Sequence, residues 1–358
     1  MRVLIAAGGT GGHIYPGIAV AKEILRRDKN SVVRFVGTER GLETKIVPEN
    51  GFELSLINSA GLKNVGLAGK IKGLAVLPKS FLEARKLLRK FKPDVVIGAG
   101  GYVTGSVLLV ASMMRIPTVA MESNALPGFT NRCLSRVVSK AALTFEEAMP
   151  YFRNKGVVTG NPVRKEFFDI EPKKRGKKMN LLLFGGSQGA RAINLAMIDA
   201  LKFLADSKSK LRITHQTGKF DLDTVKNGYR ENDWSDADIR EYISDMVSEF
   251  EKTDLILSRA GATTCAEVAA AGKVAIMVPL PTAADDHQRK NAEALENNGA
   301  AKMILQAELT GETLAREIKN FIDSPEKISE MELCAKKMAK ADAAAATVDI
   351  IEGLARKE

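Results

Sequence analysis

The chain has 358 residues, of which 45% are hydrophobic and 27% charged, and its formal net charge at pH 7 is +10. This length accommodates two globular domains with buried cores. No apolar stretch has the length of a membrane span and the N-terminus does not resemble a signal peptide, so neither an integral membrane protein nor a secreted protein is expected. The three cysteines are scattered, which favours a reducing compartment over a disulfide scaffold.

The excess of basic residues indicates an acidic partner: nucleic acid, an anionic membrane surface or a phosphorylated substrate. Aromatic residues make up only 6% of the chain, with one Trp, and they do not alternate with basic residues. Recognition of nucleic acid by base stacking is therefore disfavoured, and no nucleic-acid partner is expected.

The first predicted elements are a strand, a glycine turn and a helix, in MRVLIAAGGTGGHIYPGIAVAKEILRR. An apolar run predicts the strand and helically spaced apolar residues predict the helix, with Pro16 in its first turn. Such a turn directs backbone N–H groups and a helix dipole at an anion. It is not a dinucleotide fingerprint, because Ile14 stands where the third glycine is required, and the chain has no P-loop pattern.

The rest of the chain repeats this plan. Strand-like VVRFVGT, DVVIGAGG and PTVAMES follow, and NLLLFGGSQGAR restarts the pattern before LRITHQTG, DLILSRAG and KVAIMVPLP. A stretch rich in Pro, Gly and Lys marks a boundary near Asn161 and Pro162. The alternation predicts two Rossmann-like domains, 1–161 and 162–340, whose parallel sheets face each other across a cleft in the GT-B architecture. Helical residues 341–358 are expected to pack back on the first domain.

Residues 63–92 are strongly basic, and Pro78 is predicted to divide them into two short helices. One interpretation is a helix that covers the sheet with a solvated basic face. The other is a surface that docks on anionic lipid, with basic groups at the headgroups and some apolar side chains inserted. The residues assigned to this membrane or acceptor surface are Lys70, Ile71, Lys72, Leu74 and Lys79.

Seven motifs then occur in order: GGTGGHIYPGIAVA, GAGGYVTGS, ESNALPGFTNRCL, TGNPVR, FGGSQGAR, SRAGATTCAEVAAAGK and DDHQRKNA. Together they closely resemble the MurG family of glycosyltransferases, and the resemblance covers nearly the whole chain. One departure is Ser106 in GGYVTGS, where the family usually carries proline. That difference affects a loop or the start of a helix.

The resemblance implies an inverting N-acetylglucosaminyltransferase. GlcNAc would move from UDP-GlcNAc to the C4 hydroxyl of MurNAc-pentapeptide in undecaprenyl-linked lipid I, which gives lipid II for peptidoglycan synthesis. No metal or cofactor is expected beyond the donor substrate. The implied location is peripheral, on the cytoplasmic face of the bacterial inner membrane, with an anionic membrane surface, lipid I and other proteins of cell-wall synthesis or division as partners.

The resemblance also implies a donor site. It places Glu267 on the ribose hydroxyls and Ile243 against uracil through its backbone, and the other assigned residues are Thr10, Gly11, Gly12, Asn124, Arg164, Ser187, Ala262, Thr263, Thr264, Cys265, Ala266 and Gln288. Arg164, Ser187 and Gln288 are the candidates for the diphosphate. Three structural alternatives stay open: a capping box at Thr264-x-x-Glu267, a helix cap at Ser187 and a solvated linker charge at Arg164.

His13 is the candidate general base, because it follows the glycine turn and a histidine titrates at about pH 6.5 when unperturbed. The alternative is a histidine that only hydrogen-bonds the turn or the acceptor. Glu122 and Asn124 are further candidates, for acceptor binding or for positioning the base, and Glu122 is the second catalytic candidate.

A metal site is the less favoured reading of two D-x-D pairs, 221–223 and 236–238, and of Asp285-Asp286-His287. D-x-D pairs are frequent by chance, so no catalytic metal is expected. The alternative enzymes are a UDP-GlcNAc 2-epimerase and a GT-B transferase with another lipid-linked acceptor. The alternative of a different class is a non-catalytic protein that binds nucleotide sugars or nucleic acid.

Overall fold

The computed structural model describes residues 1–39, 41–59, 67–173, 175–186 and 188–356, and for residues 67–76 and 102 it describes the backbone alone. The chain forms two compact units. Unit 1 comprises Met1–Val163 and Lys340–Glu358, and unit 2 comprises Arg164–Ala339. None of the described helices is long and apolar enough to cross a membrane.

Unit 1 is a parallel sheet of seven strands in the order β3-β2-β1-β4-β5-β6-β7. Its strands are β1 (Arg2–Ala7), β2 (Val32–Gly37), β3 (Glu53–Leu56), β4 (Val95–Gly100), β5 (Thr118–Glu122), β6 (Lys140–Leu143) and β7 (Gly156–Val158). Its helices are α1 (Gly11–Arg27), α2 (Glu43–Glu49), α3 (Leu67–Phe91), α4 (Tyr102–Met113), α5 (Phe129–Leu134), α6 (Met149–Phe152) and the C-terminal α14 (Ala343–Ala355).

Unit 2 is a parallel sheet of six strands in the order β10-β9-β8-β11-β12-β13. Its strands are β8 (Met179–Phe184), β9 (Leu211–Gln216), β10 (Asp238–Arg240), β11 (Leu255–Ser258), β12 (Val274–Met277) and β13 (Ala301–Met303). Its helices are α7 (Arg191–Leu201), α8 (Leu222–Glu231), α9 (Met246–Lys252), α10 (Ala262–Ala271), α11 (His287–Asn297), α12 (Gly311–Asp323) and α13 (Pro325–Met338).

Both sheets are covered on their two faces, which explains why the strands are nearly continuous apolar runs. In β1, Val3 and Ile5 contribute to one apolar layer of unit 1, and Leu4 and Ala6 contribute to the other. The predicted fold class, two parallel-sheet α/β domains, is therefore confirmed within each unit.

Helix α14 packs on α1 within unit 1. Arg27 donates from Nη1 to Asp349 at 2.6 Å and from Nη2 to the Ala345 carbonyl at 3.0 Å. Val348 and Ile351 are fully buried in the same apolar layer as the core side of α1. The end of the chain thus completes one layer of the first core.

Two local predictions about proline are wrong. Helix α1 begins at Gly11, so Pro16 lies in its second turn and not in its first. Residues 67–91 form one helix that runs through Pro78, not two helices divided by it. A proline inside a helix removes one backbone hydrogen bond. Ala84, Leu88 and Phe91, all after Pro78, pack in the core of unit 1 and anchor the second half of the helix.

Ser106, the departure from the family pattern, lies inside α4. Its hydroxyl donates to the Val103 carbonyl at 3.2 Å and accepts from the Ser80 hydroxyl of α3 at 2.9 Å, and both side chains are buried. The substitution therefore adds a hydrogen bond between two helices.

Candidate functional site

The candidate residues of each unit lie at the carboxyl edge of its sheet. In unit 1 the strand order reverses between β1 and β4, and in unit 2 it reverses between β8 and β11. Loops that leave neighbouring strands in opposite directions open a crevice at such a point, where open α/β sheets bind their ligands. The loops after β1 and β4 therefore form the candidate site of unit 1, and the loops after β8 and β11 form the candidate site of unit 2.

His13 lies in the first turn of α1, and its ring is held by the glycine turn that precedes the helix. Nδ1 is 3.2 Å from the carbonyl oxygen of Gly8. A carbonyl oxygen only accepts, so in the neutral ring Nδ1 carries the hydrogen and Nε2 carries the lone pair. This is the tautomer that a base acting through Nε2 requires.

The two glycines that end β4 make room for this arrangement. A Cβ at Gly100 would lie 2.4 Å from Cδ2 of His13, and a Cβ at Gly101 would lie 2.3 Å from the Gly8 carbonyl oxygen. Both glycines also have positive φ, 120° and 85°. This role of Gly100 and Gly101 was not predicted, although the paired glycines of GAGGYVTGS at the end of a predicted strand carry a signal of it.

Thr10, Gly11 and Gly12 form the start of α1. Thr10 is the N-cap residue in extended conformation, and its side chain makes no capping hydrogen bond. The first backbone bond of the helix runs from the His13 N–H to the Thr10 carbonyl, at 3.1 Å. The N–H groups of Gly11 and Gly12 thus precede the bonded part of the helix and are available to an anion.

Glu122, at the end of β5, is only 4% exposed and holds the loop that follows it. One carboxylate oxygen accepts from the backbone and side-chain nitrogens of Asn124, at 2.9 and 3.0 Å. The other accepts from the Gly128 N–H at 3.0 Å and from the Asn131 amide at 2.9 Å. Both carboxylate oxygens of Glu122 are thus occupied by four donors of its own unit. This arrangement favours a role in shaping the loop and orienting Asn124 over a role as proton acceptor.

In unit 2, α10 begins directly after β11 at the reversal of strand order. Gly261 is its N-cap and no side chain caps it, so the capping-box alternative for Thr264 and Glu267 is wrong. The helix begins at Ala262, directly after Gly261, whose backbone is extended. Thr264 is therefore the third residue of the helix and not its N-cap. The first-turn N–H groups of Ala262, Thr263 and Thr264 therefore remain available for a ligand.

Glu267 lies one turn further along α10, on the side of the linker residue Arg164. Burial raises the pKa of Glu267 to about 7, and the nearby positive charge of Arg164 partly opposes that rise. Arg164 is itself exposed, and its guanidinium lies 4.9 Å from the centre of the Phe167 ring. The structure thus brings these two predicted residues into electrostatic contact within one unit.

The two residues after Thr264 differ in accessibility. Cys265 is 1% exposed, and burial raises the pKa of its thiol to about 12. Its side chain belongs to the core, so a ligand would contact Cys265 through the backbone alone. Ala266 is partly exposed on α10.

Gln216, at the end of β9, is a site residue that the sequence analysis missed. Its amide nitrogen donates to the Gly186 carbonyl at 3.0 Å, and its amide oxygen accepts from the Ile243 N–H at 2.8 Å. Ile243 is buried, with 3% of its surface exposed, and its N–H is held by this bond. Gln216 joins that backbone to the glycine turn, and a glutamine in LRITHQTG gave no signal of this role.

The loop after β12 is held by two polar side chains. Gln288 accepts the Leu280 N–H at 3.0 Å. Arg259 donates to the Val278 and Pro279 carbonyls at 3.0 and 3.1 Å and to the Gln306 amide oxygen at 2.7 Å. Burial lowers the pKa of the Arg259 guanidinium. Like Gln216, Arg259 was not among the predicted site residues.

The glycine turn between β8 and α7 crosses the loop after β9 at very short range. A Cβ at Gly189 would lie 1.9 Å from the Thr217 carbonyl oxygen, and one at Gly218 would lie 2.3 Å from the Gln188 carbonyl oxygen. Helix α7 begins at Arg191 with Ala190 as its N-cap. Ser187 lies outside the described residues.

Two of the carboxylates considered for a metal site have other partners. Asp221 pairs with Arg191 and accepts from the Asn194 amide at 2.9 Å. Asp238 pairs with Arg240. Within the described ranges, no group of three or more His, Cys, Asp or Glu side chains is arranged to hold a metal ion.

Family models match both units. Residues 3–143 match the N-terminal domain of glycosyltransferase family 28, and residues 180–347 match its C-terminal domain. Two Rossmann-like units of this kind, with glycine turns at both reversals of strand order, define a glycosyltransferase of the GT-B class.

Relatives that are named for one and the same transferase activity match along the full length of this chain. The UDP-N-acetylglucosamine–N-acetylmuramyl-(pentapeptide) pyrophosphoryl-undecaprenol N-acetylglucosamine transferases of Anaeromyxobacter dehalogenans (strain 2CP-1 / ATCC BAA-258) and Geobacter sulfurreducens are 46% and 45% identical to this chain. Each match covers 100% of this chain, and 94% and 100% of the relatives. The chain belongs to this transferase family.

Solved structures agree with this assignment. A crystal structure of Acinetobacter baumannii MurG has a TM-score of 0.82 and 33% identity, covering 98% of this chain and 99% of that one. The UDP-GlcNAc 2-epimerase of Neisseria meningitidis, bound to UDP-GlcNAc, has a TM-score of 0.69 at 17% identity, covering 99% of this chain and 100% of that one. The second likeness is one of fold alone.

Proposed function

We propose that this chain transfers GlcNAc from UDP-GlcNAc to the C4 hydroxyl of the MurNAc residue in undecaprenyl-pyrophosphoryl-MurNAc-pentapeptide, with inversion at the anomeric carbon. The observation that carries the proposal is identity of 45–46% over the full length to relatives named for this transfer. An epimerase has only the fold in its favour, because the matched epimerase is 17% identical.

Unit 2 is the donor-binding unit in this proposal. Glu267 accepts from the ribose hydroxyls, and Ile243 contacts uracil through the backbone that Gln216 holds. The diphosphate lies against the first turn of α10, where unbonded N–H groups and the helix dipole favour negative charge. Arg164, Gln288 and the turn that contains Ser187 supply further donors. These groups stabilise the charge that develops on the leaving UDP without a metal ion.

Unit 1 supplies the base. Nε2 of His13 takes the proton of the C4 hydroxyl as that oxygen attacks the anomeric carbon and the bond from carbon to phosphate oxygen breaks. UDP leaves with the bonding electron pair, and the imidazolium returns its proton to water. Asn124, oriented by Glu122, contacts the sugars. Thr10, Gly11 and Gly12 offer the N–H groups at the start of α1.

A basic surface on α3 supports a location at an anionic membrane. Leu82, Arg85, Lys86, Arg89 and Lys90 lie together along the second half of the helix, and Leu82 is 67% exposed. Lys79 is also exposed and lies 3.9 Å from Glu83. Each such cation near an anionic leaflet contributes about 1 kcal/mol to binding. We place this face against the cytoplasmic leaflet, where the undecaprenyl-linked acceptor is embedded.

The decisive assay incubates the purified chain with radiolabelled UDP-GlcNAc and lipid I. The proposal expects label in the lipid fraction and release of UDP. Conversion of the donor to its 2-epimer without an acceptor would establish the epimerase instead. Binding of UDP-GlcNAc without either product would establish a non-catalytic protein. A lipid-linked acceptor without MurNAc, run in parallel, tests the alternative acceptor.

The membrane role has its own experiment. Exchange of Lys70, Lys72 and Lys79 for Glu is expected to abolish sedimentation with vesicles that contain anionic lipid and to slow transfer to membrane-embedded lipid I. Transfer to a soluble short-chain acceptor is expected to survive. The control exchanges the exposed unit 2 residues Lys177, Lys178 and Lys226, which gives the same change of net charge. Equal loss with both acceptors would assign the three α3 lysines a structural role.

A further inference from the structure

Glu43, the first residue of α2, is a buried carboxylate that the proposed mechanism does not use. It has no exposed surface and lies inside a cage of glycines. A Cβ at Gly8 would lie 2.8 Å from the carboxylate, one at Gly37 would lie 2.5 Å from the Glu43 Cγ, and one at Gly41 would lie 1.8 Å from Oε2. The glycine after β1, the last residue of β2 and a glycine of the loop before α2 thus leave room for this one side chain.

The hydrogen-bond partners of Glu43 among the described residues are neutral donors. Oε2 accepts from the Gly9 N–H at 2.9 Å, and Oε1 accepts from the N–H and the hydroxyl of Thr38 at 2.8 and 2.9 Å. Burial raises the pKa of Glu43, but these hydrogen bonds outweigh it, and the pKa lies below its usual value. The ionised carboxylate therefore occupies the position that a bound anion takes in other glycine turns.

One peptide group connects Glu43 to His13. The N–H of Gly9 and the carbonyl of Gly8 belong to the same peptide bond, and that carbonyl is the partner of Nδ1 in His13. A carboxylate that accepts the peptide N–H polarises the peptide group. This polarisation strengthens the hydrogen bond that the peptide carbonyl oxygen accepts from His13. The same hydrogen bond fixes the orientation of the Gly8–Gly9 peptide. Two glycines impose little restriction on that orientation, and Gly9 has a φ of 88°, which glycine adopts readily.

We propose that Glu43 is a positioning residue that acts through the Gly8–Gly9 peptide to hold His13 in the Nδ1–H tautomer, with the Nε2 lone pair directed to the acceptor. The kinetic part of this inference rests on the proposed function. The tautomer part does not, because it concerns the ligand-free protein.

The first test is ¹⁵N NMR of histidine-labelled protein, which is tractable because the chain has three histidines. Wild type is expected to show His13 as the Nδ1–H tautomer at pH 8. Glu43→Gln is isosteric but has one acceptor oxygen, so its NH₂ must face a backbone N–H. The His13 tautomers are then expected to mix. Glu49→Gln, an exposed residue of the same helix, is the control and is expected to match wild type.

The second test is a double-mutant cycle in transfer assays. Glu43→Gln is expected to lower kcat about 10–100-fold, the effect of a misplaced catalytic group, and to leave the KM for UDP-GlcNAc unchanged. In the His13→Ala background the same exchange is expected to have no further effect, because Glu43 acts through His13.

Two results would overturn the inference. One is a folded Glu43→Gln protein with wild-type His13 tautomers. The other is a kinetic cycle in which the two exchanges multiply, which would make Glu43 a support of the fold alone. Absence of transfer by the wild type would instead contradict the proposed function, and the NMR result would still decide the role of Glu43.

Discussion

The two units share the plan of strand, glycine turn and helix, yet their turns are filled differently. In unit 1 the Gly9 N–H after β1 is taken by the Glu43 carboxylate. In unit 2 the contacts described for the turn after β8 are amides and carbonyls: Gln216 donates to the Gly186 carbonyl, and the Gly189 N–H donates to the same oxygen, at 2.9 Å. The first turn therefore carries its own anion, whereas the second has no carboxylate bonded to it among the described residues.

This difference separates the two roles of a glycine turn. A turn that holds an internal carboxylate has its charge balanced and serves to position a side chain, here His13. A turn without one keeps the N–H groups and helix dipole for a ligand phosphate. The unit 1 turn was expected to let a pyrophosphate or sugar approach the backbone, and the Gly9 N–H is not available for that purpose.

The largest effect is expected for His13→Ala, which removes the group that the unit 1 turn positions. Turnover should fall about 10²–10⁴-fold, the usual contribution of a general base. The affinity for UDP should stay unchanged, because the contacts proposed for uracil, ribose and diphosphate lie in unit 2. Single-turnover kinetics and calorimetry with UDP measure the two quantities. Near-normal turnover with lipid I would remove His13 from the role of base.

Glu267→Ala tests the donor-binding role proposed for unit 2. Hydrogen bonds to a charged group contribute about 1.5–3 kcal/mol, so UDP and UDP-GlcNAc should both bind about tenfold more weakly or worse. The structure has removed the helix-capping explanation for this residue, since Gly261 caps α10. Unchanged UDP affinity in a folded variant would contradict the ribose contact.

A smaller effect is expected for Gln216→Met, which keeps the side-chain length but removes both of its hydrogen bonds. Neutral hydrogen bonds contribute about 0.5–1.5 kcal/mol, and the Ile243 N–H is left buried without its partner. UDP affinity should fall about three- to tenfold, with a reduced preference for UDP over CDP. Preserved affinity and selectivity would show that Ile243 is positioned by other contacts.

The last expected effect is on stability and not on binding or turnover, and it is the pH dependence at Glu267. Its pKa is raised from 4.5 to about 7 in the fold, so the folded state binds the proton more tightly than the unfolded state. This contribution is present below pH 4.5 and is lost as the pH rises to about 7. Glu267→Gln should therefore raise Tm at pH 8 and leave it unchanged at pH 4, even though it weakens UDP binding. A Tm difference independent of pH would contradict the raised pKa.

Periodicity and composition were sufficient to predict the layout of the fold. The strands are apolar runs that end in glycines or small polar residues, and this pattern survives because both faces of each sheet are buried. Local propensity failed at Pro78, which a helix of 25 residues contains without ending. The Thr264–Glu267 spacing also failed as a capping signal, because the preceding glycine begins the helix three residues earlier.

Site residues with a recognisable motif were easier to predict than those that hold them. The family resemblance assigned roles to His13 and Glu267 from their place in the motifs that carry it. These roles stay predictions. Glu43, Gln216 and Arg259 act through backbone groups that are distant in sequence; Glu43, for example, bonds a residue 34 positions away. A single sequence does not reveal such pairs, because the partner is a main-chain atom common to every residue.

The packing of α14 on α1 has a consequence for the order of folding. The last element of unit 1 follows all of unit 2 in the chain, and it contributes Val348 and Ile351 to the first core. On the ribosome, unit 2 can therefore complete its core while the core of unit 1 still lacks the side chains of α14. Nascent unit 1 must therefore stay unaggregated while unit 2 is synthesised, and its core is complete once α14 has emerged.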